Sequence, residues 1–434
     1  MSLHSWSASI SVALVLFAPG ASAQTEAVVH SFQSTSVFDG IAPYSGLVAD
    51  KNGALYGTTA DGGKYRAGTV YKLVPPTSQG EAWKQTILYA FTGGSDGANP
   101  SGALVLRPSG KIYGTTQGGG GSESCGVVYE LAPPTKPGNP WTQTVLYTFC
   151  STAGDGDKPI AGVISGEDGR LYGTTYKGGT SKAGNVFVVA PPAHGSAWVE
   201  KVLCSFKAAS DGTLPSPGGL AMDTSGALYG VLQLSEQTGF NPGSVFQLVP
   251  PIGGRGPWTE NVLYTFGAQG DGDGPVGAPV FDQNGVLYGA TFQGGQNGAG
   301  SVFALTPPGA LGGAWTETVL YSFTGGGDGS VPDSSLALDG TGAIYGVTEY
   351  GGSQSCGNTG GGCGVAFKLT PPATQGGAWT DQTLHGFLGG ADGESPVAPL
   401  LPLGSSVYGT TAAGGTGVCG NSGEPGCGTV FQIQ

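Results

Sequence analysis

Gly46-Leu47-Val48-Ala49-Asp50-Lys51-Asn52-Gly53-Ala54-Leu55-Tyr56-Gly57-Thr58-Thr59 reads as two short apolar strands folded about a polar turn, and it returns throughout the chain. Its Leu-Tyr-Gly core recurs around Tyr113, Tyr172, Tyr229, Tyr288, Tyr345 and Tyr408. The tyrosines are spaced 57, 59, 57, 59, 57 and 63 residues apart, so one array occupies the chain. A fixed period of this length marks a repeat architecture in which neighbouring units bury one another.

Outward from that hairpin, Gly62-Gly63 opens a loop and Gly68-Thr69-Val70-Tyr71-Lys72-Leu73 alternates as a third strand. Pro75-Pro76 stops it, because proline cannot donate to a ladder. Trp83 begins a fourth strand through Ile87-Leu88-Tyr89-Ala90-Phe91, and Asp96-Gly97-Ala98-Asn99-Pro100 turns the chain into the next repeat. Ten-residue windows of the mature chain show no helical periodicity. Four antiparallel strands repeated seven times predict an all-β, seven-bladed β-propeller.

The two ends are out of phase. Val28-Val29-His30-Ser31-Phe32 has the form of a fourth strand, whereas Gly428-Thr429-Val430-Phe431-Gln432-Ile433 has the form of a third. The N-terminal strand is therefore expected to complete the last blade, closing the ring without a free sheet edge.

Glycine (84 residues) and proline (30) sit at fixed places between strands, which makes them turn punctuation rather than low complexity. Net charge is −13 with no Lys/Arg run, which excludes the electrostatic footprint of nucleic-acid binding. It also disfavours anionic lipid. Residues 10–18 form an apolar run too short to span a membrane, and Ala21-Ser22-Ala23 before Gln24 has the form of a cleavage site. Residues 1–23 are expected as a signal peptide, 24–434 as a single propeller domain, and the product as a secreted or periplasmic monomer. With no second apolar segment before Gln434, no C-terminal anchor is expected.

The hairpin motif resembles those of NHL-like and sensor-regulator propellers, and the Gly-Gly doublet followed by an aromatic strand and Trp is loosely similar to kelch repeats. A more specific set is Leu-Tyr-Gly-Thr-Thr-x-x-Gly-Gly, Gly-x-Val-Phe-x-Leu-x-Pro-Pro, Trp, Leu-Tyr-x-Phe and Gly-Gly-x-Asp-Gly-x-x-Pro. Together these resemble the GloVer tandem repeat of secreted bacterial "choice-of-anchor" proteins, over nearly all of the mature chain. The resemblance implies secretion and a C-terminal surface anchor, and it implies no particular reaction. The expectation of no anchor here departs from the pattern.

Candidate chemistry falls into four groups. Asp39, Asp96, Asp155, Asp211, Asp271, Asp328 and Asp392 head the turns between blades. A ring of these carboxylates around the channel mouth is expected, with turn hydrogen bonding as the main role. Asp155/Asp157 and Asp271/Asp273 form Asp-x-Asp pairs that give calcium a weak signal, short of a full oxygen-ligand loop. His30 and His385 occupy a fourth-strand tyrosine slot and His194 a loop, so no transition-metal cluster or hydrolytic triad is visible. Trp83, Trp141, Trp198, Trp258, Trp315 and Trp379 are expected to pack blade on blade.

Departures from the repeat are more informative. After each Gly-Thr-Thr-like strand two positions vary, giving Gln117, Tyr176, Lys177, Phe292, Gln293, Glu349 and Tyr350, with Phe240 in the irregular fourth loop. Such a mixture on one loop face suits a glycan or peptide ligand. The seven cysteines predict disulfides Cys125–Cys150, Cys356–Cys363 and Cys419–Cys427, with Cys204 a buried thiol outside them.

The leading functional expectation is a secreted, non-enzymatic binding or structural module. The alternative is an extracellular polysaccharide lyase or glycosidase, for which Tyr176, Glu349 and Tyr350 are the asymmetric candidates at the mouth. A cofactor-using propeller is a third class, but no quinone or copper site is visible.

Overall fold

The computed structural model describes residues 24–34, 39–78, 80–192, 197–207, 219–233, 242–310, 313–356, 361–374, 376–419 and 424–434. The expected signal peptide, His194, Asp211 and Phe240 lie outside the described residues. Seven antiparallel sheets form a seven-bladed propeller, with no α-helix among the described residues. In the first blade the strands are Val48–Ala49, Leu55–Thr59, Thr69–Val74 and Lys84–Ala90, paired in that order. The first strand is shorter than the Gly46-to-Asp50 stretch expected from sequence, because only Val48 and Ala49 find partners, Tyr56 and Leu55.

The Leu-Tyr-Gly motif has a packing reason. A Cβ on Gly57 would stand 2.7 Å from Cζ of Tyr71 on the neighbouring strand, and Gly173, Gly230, Gly289, Gly346 and Gly409 meet a phenylalanine ring in the same way. The missing side chain lets a fully buried aromatic lie flat across each blade. The motif tyrosine is fixed by its hydroxyl, which donates to Asp50 in the first blade (3.0 Å) and Asp339 in the sixth (3.0 Å).

Blades are joined by rings. Trp83 packs on Tyr408 of the last blade, Trp198 on Tyr113, Trp258 on Tyr172 and Trp379 on Tyr288, with centroids 5.9–6.3 Å apart. The expected role of the tryptophans is thereby met. A second set of edge-on contacts, such as Phe91–Tyr129 and Phe387–Phe431, also crosses from blade to blade.

The ring closes as the phase argument requires. Glu26–Ser31 pairs antiparallel with Thr429–Ile433, placing Val28 opposite Phe431 and Ser31 opposite Thr429. Backbone bonds between Thr25 and Gln434 extend the pairing to the chain end. The three expected disulfides are present. They point to an oxidising compartment. Cys204 takes no part in them, but it is half-buried rather than buried, because its slot lies near the end of an outer strand.

Candidate functional site

Among the described residues, none of the repeated aspartates lines the channel-mouth cavity. Each is used where its chain segment leaves an outer strand: Asp96, Asp155, Asp271 and Asp328 accept the hydroxyl hydrogen of Tyr89, Tyr147, Tyr264 and Tyr321 at 2.8–2.9 Å. They also cap backbone N–H groups of their own turns, as in Thr92 to Asp96 and Ser151 to Asp155. The expectation of an acidic ring is corrected on this ground, and the turn-forming role is what the geometry contains.

What lines the axis is the segment just after the repeated proline. The inner strands approach backbone to backbone: a Cβ on Gly102 would lie 2.5 Å from the carbonyl carbon of Ala161, and one on Gly277 (φ +72°) 2.4 Å from the nitrogen of Ser335. Those contacts leave a cavity of about 500 Å³ at the channel mouth, with walls from six of the seven blades. The slot following the proline supplies Tyr44, Ser101, Ile160, Asp333 and Val397. The slots after the second strand supply Asp61, Gln117 and Glu349.

This wall breaks the sevenfold symmetry of the scaffold. Its ionisable groups are Asp61, Asp333, Glu349 and the phenol of Tyr44, with no lysine or arginine. Asp333 is open to channel water yet walled by protein, and burial together with neighbouring Glu349 lifts its carboxyl to about 7. Burial also raises Asp61, against a 3.0 Å bond from the Asn99 amide. Tyr44 is raised by burial, Asp61 and Glu349. Neighbouring Glu349, and then burial, raise the phenol of Tyr350. A second cleft, of about 800 Å³, runs beside Trp315 between outer strands, but it carries no ionisable side chain.

Of the residues singled out in the sequence, Gln117 and Glu349 therefore reach the cavity, and Tyr350 stands behind Glu349. Tyr176 and Phe292 hold equivalent slots but do not contribute to the wall; Phe292 packs partly into the core between the fifth and sixth blades. Lys177 and Gln293 are exposed in short strand pairings opposite Asp157 and Asp273. Asp155 and Asp271 are taken up by their turns, while Asp273 is raised by burial and by Asp271. Asp61, one of the variable positions after the second strand, also reaches the cavity, whereas Tyr44, Asn99 and Asp333 were missed. The signal for Tyr44 and Asp333 was the free variation of the position after each repeated proline (Tyr, Ser, Ile, Ser, Val, Asp, Val), which lies outside the strands read from the sequence.

The sequence model described as the Gloeobacter/Verrucomicrobia repeat matches residues 13–246. The chain has no significant sequence match among curated proteins. Among solved structures, a Mycobacterium tuberculosis puromycin-hydrolyzing peptidase is similar at 12% identity and TM-score 0.52, over 84% of this chain and 48% of that one. The surface component PorZ of the Porphyromonas gingivalis type-IX secretion system is similar at 12% identity and TM-score 0.50, over 92% of this chain and 48% of that one. The polysaccharide lyase Uly1 gives 13% identity and TM-score 0.49, over 94% and 98%. The chain thus spans about half the length of the peptidase and of PorZ. At these identities the likeness concerns the propeller fold alone.

Proposed function

We propose, from the premise that this chain belongs to the Gloeobacter/Verrucomicrobia repeat family, that it is a secreted binding module holding a glycan or peptide at the channel mouth. The observation that carries the reading is the asymmetric wall of an otherwise repeated ring: Tyr44, Asp61, Asn99, Gln117, Asp333 and Glu349 around one cavity. Carboxylates and amides there accept from and donate to sugar hydroxyls, or accept from peptide ammonium and guanidinium groups, while the half-exposed Tyr44 ring offers a stacking face. Three disulfides and an acidic surface free of basic clusters accord with an extracellular setting. Among the described residues no helix is long and apolar enough to cross a membrane.

The test is an array of extracellular glycans and basic peptides, followed by calorimetry on the best ligand. Glu349→Gln and Tyr44→Ala are expected to weaken binding by about 1–2 kcal/mol each, as moderate anchors do. Binding unaffected by both changes would place the ligand elsewhere.

One observation favours the second reading, a polysaccharide lyase or glycosidase. Asp333 and Glu349 form a carboxyl pair in which Asp333 is held near 7, the division of protonation that general acid–base chemistry uses. Turnover assays on the bound polysaccharide separate the two readings: product formation abolished by Asp333→Asn supports the enzyme, and binding without product supports the module.

A further inference from the structure

Seven copies of one blade junction allow an unusual member to be recognised. At five of the described junctions the turn aspartate faces two groups. One is the tyrosine-slot residue of the preceding outer strand, and the other stands near the start of the following outer strand. The second group is Gln85 at the first junction, where its amide donates to Asp39 at 2.8 Å. It is Glu200, Glu317 and Asp381 at three others, and there the tyrosine slot holds Tyr147, Tyr264 and Tyr321. The junction between the sixth and seventh blades differs. His385 fills the tyrosine slot, Asp392 is the turn aspartate, and Glu26 comes from the N-terminal strand that closes the ring.

We propose that Glu26, His385 and Asp392 bind a divalent transition-metal ion, with zinc the best match, and that the ion staples the closing strand to the ring. One donor atom from each residue lies within 4.8 Å of the others. His385 Nε2 stands 3.0 and 3.1 Å from the two Asp392 oxygens. Metal–ligand bonds of about 2.0–2.2 Å at tetrahedral angles separate donors by roughly 3.3–3.5 Å, so a small opening of the pocket admits the ion. Glu26 Oε1 is buried without a hydrogen-bond partner, as are Glu200 Oε1 and Glu317 Oε1 at the ordinary junctions, so the imidazole is what sets this junction apart. The Leu388 N–H donates to Asp392 Oδ2 at 2.7 Å and fixes the carboxylate from behind, as outer partners of metal ligands do. One imidazole with two carboxylates suits zinc and similar ions, with water in the fourth position. The remaining histidine junction lacks this set, because Gln85 replaces the second carboxylate opposite His30 and Asp39. No sequence motif announces the cluster, since Glu26 meets the other two only when the ring closes.

The experiment uses the full mature chain, stripped with chelator and dialysed. Zinc chloride is titrated by calorimetry, and melting is followed with and without one equivalent of zinc. One equivalent is expected to bind, with a rise in Tm that chelator reverses. His385→Tyr restores the residue of the ordinary junctions and its hydroxyl bond to aspartate, so the ring is expected to fold while zinc affinity falls at least about tenfold and the Tm gain vanishes. Glu26→Gln, which reproduces the Gln85 junction, provides the second variant and is expected to lose affinity likewise. Zinc uptake that is absent in the wild type, or as tight in either variant as in the wild type, would overturn the proposal.

Discussion

At the scale of single residues, Asp333 carries the clearest tension in the molecule. Its carboxyl is raised from the ordinary range to about 7, first by burial and then by Glu349. The folded protein therefore holds a proton that the unfolded chain releases near pH 4, and the associated stability is lost as pH rises through about 7. Asp333→Asn is expected to raise Tm at pH 8 and to change it less at pH 5, in thermal melts at matched ionic strength. The same change is expected to weaken ligand binding, so the residue trades stability for a charged mouth. Gly57→Ala tests the scaffold instead: its Cβ would press on the buried Tyr71 ring, and urea unfolding is expected to show a loss of about 1–3 kcal/mol. Legibility at this scale was uneven. Gln117 and Glu349 stood out because they break a repeat, whereas Tyr44 and Asp333 sit beside a proline in a segment too short to show alternation. Burial and neighbouring charge, which give Asp333 its character, arise only when distant blades meet.

At the scale of strands and blades, the junctions share a design. Burial, and then the facing turn aspartate, lift Glu200 and Glu317 to about 7 and Asp381 to about 6. Gln85 shows what such a side chain does when neutral, donating to Asp39. A protonated glutamate carries a donor of the same kind, while an ionised one faces a second carboxylate. These folded-state values lie above the unfolded ones, so the contribution is complete below about pH 4.5 and fades as pH rises through about 7. Glu200→Gln combined with Glu317→Gln is expected to flatten that decline, stabilising the protein at pH 8 by about 1 kcal/mol per site and little at pH 5. A pH series of denaturant midpoints checks it. The second, third and fourth strands were readable from alternation and from the Pro-Pro stops. The inner strand was read too long, because in the first blade its pairing covers two residues.

At the scale of the whole molecule, the phase difference between the ends made closure legible, and the structure pairs Thr25 with Gln434 directly. The cluster of Glu26 with His385 and Asp392 depends on that same closure and was therefore invisible to local reading. If the last blade is a blade like the others, its third and fourth strands differ only in lacking a covalent loop between them. A circular permutant tests this equivalence. A short Gly/Ser loop would join Gln434 to Gln24, and new ends would open in the exposed turn near Glu81, between the third and fourth strands of the first blade. Breaks in exposed loops are well tolerated, so Tm is expected to stay within a few degrees of the wild type. Deleting residues 24–33 instead strips the outer strand from the seventh blade, exposes the edge of Thr429–Ile433 and removes buried Phe32 from its contact with Tyr71. That variant is expected to melt far lower or to self-associate through the bare edge. A permutant that fails while the deletion melts like the wild type would mean that the ring is not held at this seam.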